Sequence, residues 1–175
     1  MAYVVQENIP LALYSTFRMG GTARYFIELT DEKDITEVAV FAKKKQVPVV
    51  ILGGGSNTLF TSEKLDALVL KVSIKGYIWQ EEDSIVLVTV SSGELWDDFV
   101  EQSVLRGLSG IEALSLIPGT VGGTPVQNVG AYGQEVRNTI VSIRAYDTEK
   151  SELVTFTNDM CRFSYRDSIF RHLPN

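Results

Sequence analysis

Cysteine is almost missing from this chain: Cys161 is the only one in 175 residues. A single thiol excludes an intrachain disulfide and suits a reducing cytoplasm, which is the expected location. Histidine also occurs once, at position 172. A His/Cys zinc site cannot be assembled from these two residues, so no metal is expected. A Ser-His-Asp triad is formally open, but nothing around His172 marks it as a base. Long apolar runs are lacking too. The stretches 47–52 and 85–90 are strand-length, far short of the roughly 20 residues that a membrane span needs. Segment 1–10 carries Glu7 and has neither a basic start nor an apolar core, so it does not read as a signal peptide. Positive charge is in deficit, 16 Lys and Arg against 22 Asp and Glu, for a net charge of -6 and a pI near 4.8. That balance argues against nucleic acid or an anionic membrane as partner. An anionic small molecule stays open, because backbone N–H groups bind one locally whatever the global charge.

What is present is a globular composition, 45% hydrophobic and 22% charged, enough to bury a sizeable core as one domain or two lobes. A strand is expected over 23–29. Thr30 can then cap a helix over 31–46, with Ile35, Val38, Ala39 and Ala42 on one face, acids in its first turn and Lys43 to Lys45 in its last. The lysine run reads as a solvated helix end. An apolar strand follows over 47–52, so strand, helix, strand suggests a βαβ unit, and 66–70 reads as another strand. Beyond about residue 72 the character changes. Strands over 77–80 and 84–90 flank an acidic turn, and a helix over 94–106 buries Leu95, Trp96, Phe99 and Val100 and stops at Gly107. Stretches 139–147 and 152–157 read as a hairpin. The expected class is α+β: a small βαβ lobe over 1–72 and a larger mixed or antiparallel-sheet lobe over 73–175.

Two glycine-rich loops carry the chemistry. Gly53, Gly54, Gly55, Ser56 and Asn57 follow a buried-type strand. Glycines there let backbone approach a ligand closely, and successive N–H groups with the Ser56 hydroxyl and Asn57 amide can cradle a diphosphate. The other reading is a plain flexible turn. Two familiar phosphate motifs are excluded. Thr58 stands where a dinucleotide fingerprint needs its third glycine, and no Gly-Lys-Ser/Thr of a P-loop occurs. The second loop, Gly119 to Gly133, holds five of the fourteen glycines within fifteen residues, interleaved with small and β-branched residues and few charges. Such a run suits backbone packed around a flat or extended ligand, or else a tightly packed junction.

The strings Ser15-Thr16-Phe17-Arg18-Met19-Gly20-Gly21, Ile51-Leu52-Gly53-Gly54-Gly55-Ser56-Asn57, Ile117-Pro118-Gly119, Gln127-Asn128-Val129-Gly130-Ala131-Tyr132-Gly133 and Tyr165-Arg166-Asp167-Ser168 resemble the UDP-N-acetylenolpyruvoylglucosamine reductase family. They occur in the family's order over nearly the whole chain. Each alone is weak; together they are specific.

The resemblance implies FAD held between two α+β lobes, and non-covalent attachment is expected because neither His172 nor Cys161 lies in a glycine loop. Gly53, Gly54, Gly55, Ser56 and Asn57 would take the pyrophosphate, and Ile117, Pro118, Gly119, Gly123, Val126, Val129 and Gly130 would line the rest of the cofactor. It further implies a peptidoglycan-precursor enzyme in which NADPH reduces the flavin and hydride passes to UDP-N-acetylglucosamine enolpyruvate. Arg166 would stabilise the enolate-like intermediate, with Tyr132 and Tyr165 near the substrate. A permanently charged, planar guanidinium suits a carboxylate whose charge grows as hydride arrives; the alternative is a structural ion pair with Asp167. Family members continue beyond Leu173-Pro174-Asn175, so the substrate lobe, the proton-donating serine and a glutamate that works with the arginine are expected outside this chain, which would then be inactive alone. Two other readings stand beside this one: another FAD-dependent oxidoreductase of the same two-lobed fold, and a nucleotide-binding module without redox work.

Overall fold

A computed structural model describes residues 3–173. The chain divides into two compact units, Met1–Ile74 and Lys75–Asn175, and the architecture is α+β with short helices and several sheets.

The first unit is a four-stranded sheet in the order β1-β2-β4-β3: β1 Gln6–Pro10, β2 Thr22–Leu29, β3 Val49–Leu52 and β4 Lys64–Val72. Strands β2, β3 and β4 run parallel, with Phe26 and Val50 both opposite Val69, and β1 joins the outer edge antiparallel. The central strands are buried on both faces, as parallel sheets require. On one face Tyr25, Ile27, Leu29, Leu68 and Leu70 meet Val38 and Ala42 of helix α1, Ile35–Lys45. On the other, Ala23, Phe26, Leu52 and Val69 pack with Leu11 from a 3-10 turn that follows β1. Fully burying one such side chain contributes about 1.5–3 kcal/mol.

The helix start differs from the sequence expectation. Thr30 does not cap it. Asp31 instead accepts from the Lys33 N–H at 3.0 Å and caps a 3-10 turn, Glu32–Asp34, that leads into α1. Asp31 places its carboxylate two residues from that N–H, the spacing of a local Asx turn, which a threonine one position earlier does not match. All three terminal lysines are exposed, as expected of a solvated helix end, and the Lys45 ammonium also lies over the Tyr25 and Phe41 rings. The expected βαβ unit is present with β4 inserted between its two strands.

The second unit holds three antiparallel pairs: β5 Tyr77–Glu82 with β6 Ile85–Val90, β7 Gly130–Ala131 with β8 Gln134–Glu135, and β9 Ser142–Asp147 with β10 Glu152–Thr157. Helix α2, Trp96–Leu105, buries Trp96 and Val100 against Leu114, Val129 and Val136. Leu95 was expected on its inner face but is exposed, because it stands at the N-cap with extended backbone, off the helical register. The indole N–H of Trp96 donates to the Leu114 carbonyl at 2.8 Å, fixing the start of the long glycine-rich segment to the helix.

Candidate functional site

The first glycine loop leaves the C-terminal end of β3, the end where ligands collect in open parallel sheets. It lies against the Ser15–Arg18 segment. The Thr16 N–H donates to the Gly55 carbonyl at 3.2 Å, and the Ser15 hydroxyl donates to the Thr58 carbonyl at 3.1 Å. Two motifs far apart in sequence therefore form one structure. Gly55 is buried with φ +70°, while Gly54 and Asn57 are exposed and Gly53 and Ser56 half-buried. Phe17, Met19 and Leu59 stand exposed on this unit.

In the second unit the segment after Leu114 is anchored from several sides. Asp97, in the first turn of α2, accepts from the Leu116 N–H at 2.6 Å and the Ser115 hydroxyl at 2.8 Å. Those two bonds, the Leu116 one foremost, hold its carboxyl below the usual carboxylate range. The Gly119 carbonyl accepts from Trp96, and the Gly122 N–H donates to Ser92. Gly119 has φ +132°, a conformation open to glycine. Of the residues expected at a cofactor, Pro118, Gly123 and Val126 are exposed, and Ile117, Gly119 and Gly130 half-buried. A β-carbon added to Gly123 would find its nearest neighbour, the Thr120 hydroxyl, at 3.9 Å, so open space surrounds it. Val129 differs: its side chain is in the core, and its N–H and carbonyl bond to Thr124 and Val136. It shapes the loop rather than presenting a surface.

Gly130–Glu135 forms a tight hairpin whose central residues, Tyr132 and Gly133, have φ +49° and +84°, the signs that a type I′ turn requires. The turn lifts the Tyr132 ring into solvent, 93% exposed. A second turn does the same for Tyr165, 83% exposed, and for Arg166, whose φ is +55°. It is closed by reciprocal backbone bonds between Ser164 and Asp167, at 3.0 and 3.2 Å.

These two turns share one recess of about 440 Å3, lined by Asn128, Gly130, Tyr132, Arg137, Tyr165 and Arg166 among others. The expected catalytic arginine and both expected substrate-binding tyrosines are thus brought together. Arg166 lies over the Tyr165 ring at 6.0 Å, and among the described residues no carboxylate is within ion-pair distance of its guanidinium. The expected competing pair with Asp167 is not formed. Asp167 instead meets His172 at 2.9 Å and Arg171 at 3.6 Å, and the His172 bond is the main reason its carboxyl is held below the ordinary range. Glu135 and Arg137 form an ion pair at 2.6 Å on the recess wall.

Sequence reasoning overlooked Asn128 and Ser168 as supports. Both are 1% exposed. The Asn128 amide donates to the Ser164 carbonyl at 2.9 Å, and the Ser168 hydroxyl donates to the Val126 carbonyl at 2.7 Å. The available signal was their position inside the two quoted motifs.

Cys161 is buried, which raises its thiol pKa. Among the described residues no group of three or more His, Cys, Asp or Glu could hold a metal, and no helix is long and apolar enough to cross a membrane.

The chain is 42% identical, over its full length, to a UDP-N-acetylenolpyruvoylglucosamine reductase of Pseudomonas aeruginosa, of which it covers 52%. It is 43% identical, over 96% of its length, to a protein of the same name from Flavobacterium johnsoniae, of which it covers 49%. The chain thus spans about half the length of the curated relatives it matches. A crystal structure of UDP-N-acetylenolpyruvylglucosamine reductase from Thermus caldophilus superposes with a TM-score of 0.74 at 25% identity, covering 99% of this chain and 58% of that one. A solvent-stable cholesterol oxidase shares the fold at 16% identity, with a TM-score of 0.68. The family model described as FAD binding domain matches residues 23–157, from the second strand to the end of the last hairpin, and the chain belongs to that family.

Proposed function

We propose that this chain is the flavin-binding part of a cytoplasmic UDP-N-acetylenolpyruvoylglucosamine reductase, acting on UDP-N-acetylglucosamine enolpyruvate in peptidoglycan precursor synthesis. The observation that carries the reading is the shared recess of Tyr132, Tyr165 and Arg166, with the guanidinium free of any acidic partner among the described residues. An arginine kept unpaired in a recess is suited to an anion from outside the chain.

The residues present fit FAD. Gly54 and Gly123 offer exposed backbone without a side chain, and exposed apolar residues accompany each loop: Phe17, Met19 and Leu59 in the first unit, Leu116 and Val126 in the second. When bound, the flavin supplies hydride transfer, with NADPH as its reductant. The protein's own part is binding and electrostatics. The Gly53–Asn57 loop would hold the pyrophosphate through backbone and hydroxyl or amide donors, and residues of the 117–130 segment would contact the rest of the cofactor. Arg166 binds the substrate carboxylate and stabilises the charge that builds toward it, an effect typically on the order of 10²–10³ in rate. The two tyrosine rings wall the recess.

The test is flavin retention. Purified chain mixed with FAD and passed through gel filtration should carry flavin absorbance with the protein peak. Acid precipitation should then leave the yellow colour in the supernatant, because Cys161 is buried and His172 lies outside both glycine loops. No flavin in the protein peak, or colour that stays in the pellet, counts against the reading.

A further inference from the structure

Arg166 reaches the recess from a turn of only four residues, Ser164–Asp167, at the far end of the unit's sequence from the 126–132 loop whose tyrosine it joins. The reciprocal Ser164–Asp167 bonds close the turn but do not attach it to the loop, and the Arg166 side chain has no ion pair among the described residues. Something else must fix the turn on the loop.

Two bonds from buried donor side chains do so, in opposite directions. The Asn128 amide, from the loop, donates to the Ser164 carbonyl across 36 positions of sequence; the Ser168 hydroxyl, from just beyond the turn, donates to the Val126 carbonyl across 42. Each donor side chain serves twice. Asn128 also accepts from the Arg137 N–H at 3.3 Å, and Ser168 accepts from the Phe170 N–H at 3.3 Å. The Ser164 carbonyl accepts from both the Asp167 N–H and Asn128, so turn closure and turn attachment converge on one oxygen. The remaining contacts of the turn, Arg171 with the Arg166 carbonyl and His172 with Asp167, are exposed and weaker anchors.

We propose that Asn128 and Ser168 are positioning residues for Arg166: a reciprocal clasp of two buried donor side chains that locks the Tyr165–Arg166 turn onto the 126–130 loop and sets the guanidinium beside the Tyr132 turn. The proposal rests on the carboxylate reading of Arg166 given above. Asn128 sits at φ +44°, a conformation that asparagine accepts more readily than other side chains, which keeps its amide aimed at Ser164.

The variants separate the clasp from general packing. Asn128→Asp keeps the size and the acceptor toward Arg137 but removes the donor to Ser164. Ser168→Ala removes the hydroxyl, and Ser168→Thr restores it. In the uniformly 15N-labelled chain, pyruvate serves as the carboxylate probe, read at the Arg166 Nε–Hε resonance, with hydrogen exchange of the Asp167 amide as a ligand-free readout. Asn128→Asp and Ser168→Ala should each raise the half-saturating pyruvate concentration about tenfold, the equivalent of one lost hydrogen bond, and speed Asp167 exchange, with Ser168→Thr returning both toward wild type. Folded variants that bind pyruvate as wild type does overturn the clasp. If wild-type Arg166 ignores pyruvate, the carboxylate reading fails, and the Asp167 amide alone decides: faster exchange rescued by threonine supports the clasp, unchanged exchange refutes it. If Asn128→Asp does not fold, the Ser168 pair decides in the same way.

Discussion

The carbonyl oxygen of Tyr14 stands over the α-carbon of Gly55 so closely that a β-carbon at position 55 would overlap it. The close approach that this glycine permits is to the protein's own chain. Its positive φ and the Thr16 bonds to its carbonyl make it part of the first unit's framework, while Gly54, one residue earlier, is exposed. Adjacent glycines of one motif therefore have different tasks.

Gly55→Ala should destabilise the first unit by about 2 kcal/mol or more, through backbone clash and an unfavourable φ. Gly54→Val should leave melting nearly unchanged and weaken FAD. Thermal melting without flavin and fluorescence titration with FAD read the two effects separately, and Lys44→Ala should alter neither. Equal loss of FAD affinity in Gly54→Val and Lys44→Ala would indicate general charge attraction instead of a backbone cradle.

Tyr132→Asn should stabilise the free protein by roughly 0.5–1 kcal/mol, because asparagine tolerates the left-handed position of a type I′ turn better than tyrosine does. The exposed ring gives up no packing. The same change should weaken binding of UDP-N-acetylglucosamine enolpyruvate in an enzyme that carries the whole reductase sequence. A lower melting temperature for Tyr132→Asn would mean that the ring supports the fold.

Asp97 links pH to the order of the Ser115–Leu116 segment. Its folded pKa is lowered, so its contribution is fully present above the ordinary carboxyl value of about 3.9 and disappears as pH falls through the lower, folded value. Asp97→Ala should melt about 2–4 °C below wild type at neutral pH, the loss expected for about one hydrogen bond in a chain of this size. The gap should close in the acid range, and Asp97→Asn, which keeps an acceptor, should recover much of it. A gap that persists unchanged to the acid limit would assign the effect to helix propensity.

Arg166→Ala, in a reductase of full length, should impair substrate reduction and largely spare flavin reduction by NADPH. On the proposed function, charge would build toward the substrate carboxylate only in the second half-reaction, so only there would the guanidinium bind the transition state better than the ground state. Arg166→Lys should recover part of the loss, since a point charge cannot reproduce a bidentate grip. Stopped-flow measurement of each half-reaction decides it; equal slowing of both makes Arg166 a structural residue.

Apolar pattern marks β2, α1, β3 and α2, because each buries an apolar stripe and therefore writes its period into the chain, with end charges and Gly107 bounding the helices; the two long hairpins, whose strands bury no residue, are legible from strand-type runs around polar turns. Strand β1 went unread: Gln6–Pro10 lies at the sheet edge with mostly exposed side chains, so it carries no apolar alternation. The glycine loops were legible as unusual composition, and the quoted motifs pointed to a flavin site. The same letters could not separate Gly54 from Gly55, or show that Val129 turns into the core.

Local sequence thus determined which segments become strands, helices and bare-backbone loops, since those depend on near neighbours and on side-chain pattern. Tertiary structure decided the rest. β4 takes the place between β2 and β3 because its run Ala67–Leu70 is buried throughout, and a central position covers both faces. Asn128 and Ser168 become supports only when residues 36 and 42 positions away arrive beside them. A hydrogen bond across such distances leaves no periodicity in sequence; it exists once the chain has closed the intervening loop, and the packing of the surrounding core stabilises that closure.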